Sequence, residues 1–457
     1  MTDPHGLGTV LICLVHRIDG ATARSPTQGD QANEEDEGGT QKMRLIHTIA
    51  AVMTVAAVGL AHAEDTVIHV MSWEATQVAG TPWWDKITQG FEAKHPGVKI
   101  ETNFVPFNQY LTTLAAMTAG NSLPDLFYGH VKAAELGRAG LAVNYKEAVD
   151  QAFLKQFYPG PLRQFTFDDG AIYALPWTAQ IFGLFVNDRI MKELGLTPPS
   201  TWDELIAMTP KIREAGLTPV AFGNLARNVC PDFLLPLVAQ YGGDVYALDD
   251  LTKPGLSWDS KPVVDALTLL QNLAKAGVFL EGVNGIDERP AWQIAYQGRA
   301  AMLYTGSWAP AVFDAEATQD WLDNYSVHKV PAVTADGVHY TGDGSGEGLV
   351  INAKSPNRDL TLEFVKYMFS PEIYDDHIAG LGGFPSMPSA LDQVKNPKVQ
   401  EMVPWMDTDG ADHILFGAGS WDAVSNVCQG ILDGSVEPAA GAKQIQSDVL
   451  ATRAKAQ

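Results

Sequence analysis

Trp73, Tyr128, Trp177, Phe182 and Trp308 each stand at or just after a short apolar run, where strand-like sequence gives way to polar residues. Trp421 follows the glycine-rich Gly417-Ala418-Gly419-Ser420. Planar or charged side chains accompany these rings: Glu74, Gln77, Asn108, Gln109, His130, Lys132, Gln180 and Asn224. An aromatic face packs on apolar C–H surface, while amides and carboxylates bond to hydroxyl edges. The combination therefore suits a polyhydroxylated ring such as a sugar. A single tryptophan is most simply core packing, but six aromatics at one kind of position ask for another reason. Trp83, Trp84, Trp202 and Trp292 fall inside helical patterns and are assigned to packing.

Covalent and metal chemistry find less support. The chain has no G-x-S-x-G elbow, no H-E-x-x-H and no P-loop. The seven histidines from residue 64 onward (His69, His95, His130, His328, His339, His377 and His413) are scattered without metal-ligand spacing and read as surface or satisfied core residues. The run Gly342 to Gly348 lacks the GK[ST] ending of a phosphate loop, and Asp343 and Glu347 within it would repel phosphate. Paired carboxylates of the glycoside-hydrolase kind are a spatial signature, and no local motif supports them. No catalytic residue, metal ligand or cofactor site is therefore expected.

The elements that must position the rings alternate between apolar strands and amphipathic helices, an α/β pattern. Residues 66–73 and 98–104 read as strands. Trp84, Ile87 and Phe91 recur at helical spacing until His95-Pro96-Gly97 breaks the helix. Residues 171–205 hold a strand ending on Leu175-Pro176-Trp177, a second strand over 181–186, a brief helix closed by Gly195, and two prolines. Thr201 and Glu204 then form a capping box for a longer helix, which Pro210 is expected to kink. Ser260 is positioned to cap a helix that stops at Gly277. Polar and aromatic residues thus gather at strand C-termini, the edge where open α/β sheets bind ligands.

A net charge of −23 argues against a general nucleic-acid or anionic-lipid binder. Met43-Arg44, an apolar run and Ala61-His62-Ala63 before Glu64 have the form of a cleaved signal peptide over 43–63, too short for a membrane span. Position 64 is not cysteine, so no lipid anchor is expected. Residues 1–42, of largely disordered composition, read as an upstream extension produced by a misplaced translation start. A mature chain from Glu64 would carry about −20 and retain Cys230 and Cys428. In an oxidising compartment these two either pair or stay as buried thiols, and sequence leaves both open.

With these positions in hand, the chain resembles family 1 extracellular solute-binding proteins, the soluble receptors of carbohydrate ABC importers (the maltose-binding-protein type). Residues 122–141, with Pro124-Asp125 before a strand, resemble the family's Pro-Asp strand and following helix. Residues 298–310 resemble its strand ending in Gly-Ser-Trp, here Gly306-Ser307-Trp308. Residues 346–372, closing on Ser370-Pro371-Glu372, and the proline-containing loop 382–390 are similar to its later segments.

The resemblance implies a two-lobed α/β periplasmic-binding-protein fold with a hinge and an interlobe ligand cleft. The N-lobe would comprise 64–174 with 342–372, and the C-lobe 175–341 with 373–457. Crossovers are expected near Tyr173 to Leu175, in the Gly342–Gly348 run, and around Ser370 to His377. The N-lobe would offer Trp73, Glu74, Gln109, Tyr128, His130 and Lys132 to ligand. The C-lobe would offer Trp177, Gln180, Phe182, Asn224, Ser307, Trp308 and Trp421. The implied role is a periplasmic monomer that captures a mono- or oligosaccharide by hinge closure and docks transiently on membrane permease subunits, without catalysis or cofactor. A polyol, an acidic or sulfonated sugar, or glycerol 3-phosphate is the alternative ligand, with His130, Lys132 and Arg227 keeping anions open. A secreted carbohydrate-active enzyme is the alternative from another class.

Overall fold

The computed structural model describes residues 65–76, 80–167, 170–245, 248, 257–381, 383–406, 410–412 and 420–456. The upstream extension, the signal-peptide segment, Gln77, His413 and Gly417 to Gly419 lie outside the described residues. No helix among the described residues is long and apolar enough to cross a membrane.

Apolar runs bounded by glycine, proline and polar residues become strands. β1 (Thr66–Ser72), β2 (Val98–Phe104), β3 (Leu126–Tyr128) and β4 (Leu175–Pro176) come first. β5 (Thr178–Asn187), β6 (Thr218–Ala221), β7 (Ala300–Gly306) and β8 (Tyr325–His328) follow. β9 (Thr341–Gly344), β10 (Gly348–Ile351), β11 (Phe384–Pro385) and β12 (Gly410–Asp412) complete the set.

They form two sheets. The first has the order β2-β1-β3-β10-β4, with β1 parallel to β2 and β3 and with β10 antiparallel to its neighbours. The second has the order β12-β9-β5-β7-β6, and β8 and β11 also pair with the long β5. β5 runs antiparallel to β7 in the register Phe182↔Gly306 through Val186↔Met302. Every β7 residue is buried, as expected of a strand covered on both faces.

The switch between sheets falls at Trp177. Leu175–Pro176 still pairs with β10 in the first sheet, and Thr178 opens β5 in the second. The expected crossover at 173–175 thus moves a few residues along, because the return strand β10 captures Leu175 and Pro176 as the sheet edge. The return crossing lies between Gly344, which pairs with Gln180, and Gly348, which pairs with Pro176, so residues 342–344 go with the second sheet.

Helices cover both sheets. α1 (Gly80–Lys94) and α2 (Phe107–Ala119) flank the first. α3 (Trp202–Glu214) starts on the capping box, with Glu204 N–H donating to Thr201 Oγ1 at 3.2 Å and Thr201 N–H to Glu204 Oε2 at 3.3 Å. It runs through Pro210 as one element. α4 (Val229–Gln240) and α5 (Lys261–Lys275) follow; Ser260 holds the N-cap position of α5, but its hydroxyl makes no capping bond. α6 (Glu288–Ile294) and α7 (Ala309–Glu316) precede α8 (Arg358–Met368) and α9 (Pro371–Leu381). α8 packs on α1, with Phe364 and Phe91 centroids 5.0 Å apart, and α9 brings His377 to 4.6 Å from Trp83 of α1. The stretch from 373 to 381, expected with the second lobe, therefore lies against a helix of the first.

α10 (Ser420–Leu432) and α11 (Pro438–Ala456) close the chain. Cys230 of α4 and Cys428 of α10 form a disulfide, with Cα atoms 6.1 Å apart, which settles the alternative that sequence left open.

Candidate binding site

A cavity of about 600 Å³ opens where the C-terminal ends of the first sheet's parallel strands face the second sheet. Trp73 and Glu74 reach it from the end of β1, Phe107 and Asn108 from the first turn of α2, and His130 from the turn after β3. Gly346 and Glu347 come from the return crossing, and Thr178, Ala179 and Gln180 from the start of β5. The opposite wall is made by Asp232 of α4, by Asp287 and α6, and by Trp308 with α7 after β7. His377 of α9 and Phe384 of β11 complete the rim. Ligand-facing strand ends are where an open α/β sheet leaves backbone and side chains free of the ladder.

Trp73 is the aromatic floor. Its ring meets Phe107, Tyr110, Tyr128 and His130 edge to face, with centroids 4.6–5.7 Å away. Trp308 stands partly exposed on the other wall, edge-on to Phe182 at 5.2 Å. Its ring folds back over Gly306, where a Cβ would collide with the indole, so the Gly-Ser-Trp sequence is a packing requirement. His130 sits at φ 44°, in the left-handed region that non-glycine residues seldom occupy, and such strain gathers at functional positions.

Buried polar groups hold the floor in place. Glu74 is 4 % exposed; its Oε1 accepts from His377 Nε2 at 2.6 Å. Its Oε2 accepts from the Tyr128 hydroxyl at 2.9 Å and from Trp177 Nε1 at 3.3 Å. Glu347 accepts from the Thr178 hydroxyl at 2.6 Å. Burial, with the Glu74 charge adding to it, pushes the Glu347 carboxyl up to about 8. On the far wall burial, with Asp232 and Asp287 adding, pushes Glu288 up to about 7 against the pull of Arg289. Arg289 lies over the Trp292 ring at 4.6 Å and 3.8 Å from Glu316. Among the described residues no group of histidines, cysteines and carboxylates is arranged to hold a metal ion.

The expected site residues divide. Trp73, Glu74, Asn108, His130, Gln180 and Trp308 line the cavity. Trp177 does not. Its ring is fully buried among Trp83, His377, Phe369 and Tyr374, because the turn between β4 and β5 directs it towards α1, α8 and α9. Tyr128 lies behind Trp73 as a donor to Glu74. Phe182 is buried against Tyr304, and Ser307 Oγ is spent on the Ile181 N–H at 3.3 Å. Asn224 is a buried strut that accepts from Cys230 N–H and donates to Asn284. Gln109 points out from α2. Lys132 faces Glu135 and Asp422 at 3.3 and 3.8 Å, Arg227 faces Asp422 at 3.9 Å, and Trp421 meets His130 edge-on at 6.0 Å, so these groups form a rim seam rather than a wall of the cavity.

Sequence reasoning missed Asp232, Glu288, Arg289, Trp292, Glu347 and His377, all on the wall. Trp292 and His377 had been assigned to packing or scattered positions. The one local signal was the Asp287 N-cap with Glu288, Arg289 and Trp292 on the first turns of a helix.

Residues 74–374 match the family model described as bacterial extracellular solute-binding protein. Among curated relatives, an uncharacterized ABC transporter extracellular-binding protein of Pyrococcus horikoshii is 28% identical over 280 residues, 56% of this chain and 60% of that one. The chain thus spans somewhat less than two thirds of that relative. A multiple sugar-binding protein of Streptococcus mutans is 24% identical over 348 residues, 74% of this chain and 79% of that one. Among solved structures, a chitin oligosaccharide binding protein superposes with a TM-score of 0.74 at 22% identity, over 85% of this chain and 100% of that one. That likeness is one of fold: two α/β sheets with a cleft between them.

Proposed function

Because this chain belongs to the bacterial extracellular solute-binding protein family, we propose that it is the sugar-capturing receptor of an ABC importer. One observation carries the reading. An interlobe cavity presents indole and phenyl faces beside amides and carboxylates, the two surfaces a sugar ring offers partners for. The sugar-binding relative that covers 79% of its own length in common with this chain supports it.

Ligand would touch Trp73 and His130 from one lobe and Trp308 and Arg289 from the other only when the lobes are together. Binding then favours the closed form by the difference in contact energy. The two crossings at Trp177 and at 344–348, joined by the Trp177 N–H to Glu347 carbonyl bond of 2.8 Å, would serve as hinge, and the closed form would dock on the permease. Secretion through the 43–63 segment into the periplasm agrees with the disulfide, which persists in oxidising compartments. Release of the sugar unchanged is part of the proposal.

Thermal denaturation against a panel of mono- and oligosaccharides, with chromatography of the recovered sugar, tests it. A melting temperature raised by at least one sugar, recovered intact, is expected. Recovery of a cleaved product would instead make the protein an enzyme. The acidic and sulfonated sugars and glycerol 3-phosphate lose ground as ligands, since among the described residues the cavity wall carries one arginine, and that one is paired with Glu316.

A further inference from the structure

We infer that the interlobe cavity selects a solute carrying a protonated amine, of the amino-sugar class, over the matching neutral or anionic sugar. The inference rests on the sugar-receptor reading and refines it. Six carboxyl groups, Glu74, Asp232, Asp287, Glu288, Glu316 and Glu347, reach the cavity among the described residues, against the single guanidinium of Arg289. Arg289 is occupied by Glu316 and by the Trp292 face. Glu74 is saturated by His377, Tyr128 and Trp177. No hydrogen bond reaches the Glu288 carboxyl from the described residues, whereas Glu347 accepts from Thr178 and from the Trp73 indole.

A second observation is independent of the acids. His377 is fully buried on the cavity wall. Its Nε2 lies 2.6 Å from Glu74 Oε1, and its Nδ1 has no hydrogen-bond partner among the described residues. Carboxyl groups thus outnumber cationic groups on the cavity wall among the described residues. An ammonium group supplies three donors and no acceptor, whereas a carboxylate or phosphate supplies only acceptors and meets like charge.

The raised carboxyls agree with this. Glu347, with Glu74 and through it His377 beside it, and Glu288, with Arg289, Asp232 and Asp287 around it, both hold protons that a seated cation would displace. Binding of an amine is therefore expected to release protons at pH 6, where the ammonium is charged and both carboxyls are protonated.

Calorimetric titration of the secreted protein tests the inference, using glucosamine, glucose and glucuronate, the galactose counterparts, and the β-1,4 disaccharides of glucosamine and glucose. The amine member of at least one set is expected to bind at least tenfold more tightly than its neutral and acidic counterparts, with proton release seen in buffers of different ionisation enthalpy. Glu288→Gln and Glu347→Gln should each reduce that preference at least threefold. Since Glu347 is packed at the crossing, Glu288→Gln serves as the variant least exposed to folding defects. A neutral sugar bound as tightly as its amine counterpart, or a preference unmoved in both variants, overturns the inference while leaving the sugar receptor standing. Absence of binding by every sugar in the panel overturns both.

Discussion

Around the Trp177 ring stand Trp83, His377, Phe369 and Tyr374, with centroids 4.3–5.6 Å away, and its indole N–H reaches Glu74. Trp177→Ala removes a fully buried aromatic and leaves a cavity, a change that costs about 3–5 kcal/mol. Urea unfolding should show a midpoint shifted accordingly; an unchanged midpoint would contradict the burial. Glu347 makes a prediction about pH. Its carboxyl titrates near 4.5 in the unfolded chain and at about 8 in the folded one, so between those values the folded protein holds a proton the unfolded chain has lost. Stability from this group is complete below the unfolded value and is withdrawn as pH climbs towards 8; Glu288, raised to about 7, acts in the same direction. The melting temperature should fall between pH 5 and 8, and the fall should be shallower in Glu347→Gln. A profile equally steep in the variant would show that other groups govern it.

At the scale of elements, much was legible in the sequence. The Thr201–Glu204 capping box, the strand after Pro124-Asp125 and the Gly-Ser-Trp end of β7 are local arrangements of backbone donors, turns and close approaches, and all three form as read. What failed was direction. A residue after a strand end faces either cavity or core depending on how the turn leaves the sheet, and that turn is set by pairing with a strand 170 residues away in sequence, β10 for Trp177. The α6 wall failed for a related reason: its residues sit at ordinary helical spacing, and only the packing of α6 beside β7 brings them to the cavity. The Cys230–Cys428 bond joins α4 to α10 across 198 residues of chain. Closing so long a loop restricts the unfolded ensemble, and its removal in a Cys230→Ser/Cys428→Ser variant should cost about 3–5 kcal/mol. Equal unfolding midpoints with and without reductant would refute that contribution.

For the whole molecule, two sheets joined through Trp177 and through 344–348 make a body whose halves meet at the Lys132–Asp422 and His130–Trp421 seam. Ion pairs exposed at such a seam hold it only weakly, so the ligand must supply most of the preference for closure. Small-angle scattering should therefore show a smaller radius of gyration with the bound sugar than without it, and identical curves would argue against closure. The claim on which the rest depends is that solute lies between Trp73 and Trp308. Calorimetric titration of the sugar that most raises the melting temperature, into the wild-type protein and Trp308→Ala, tests it most directly. The variant is expected to bind at least tenfold more weakly, a loss of about 1.4 kcal/mol, while its circular dichroism stays native. Equal affinity in the two proteins would contradict the site.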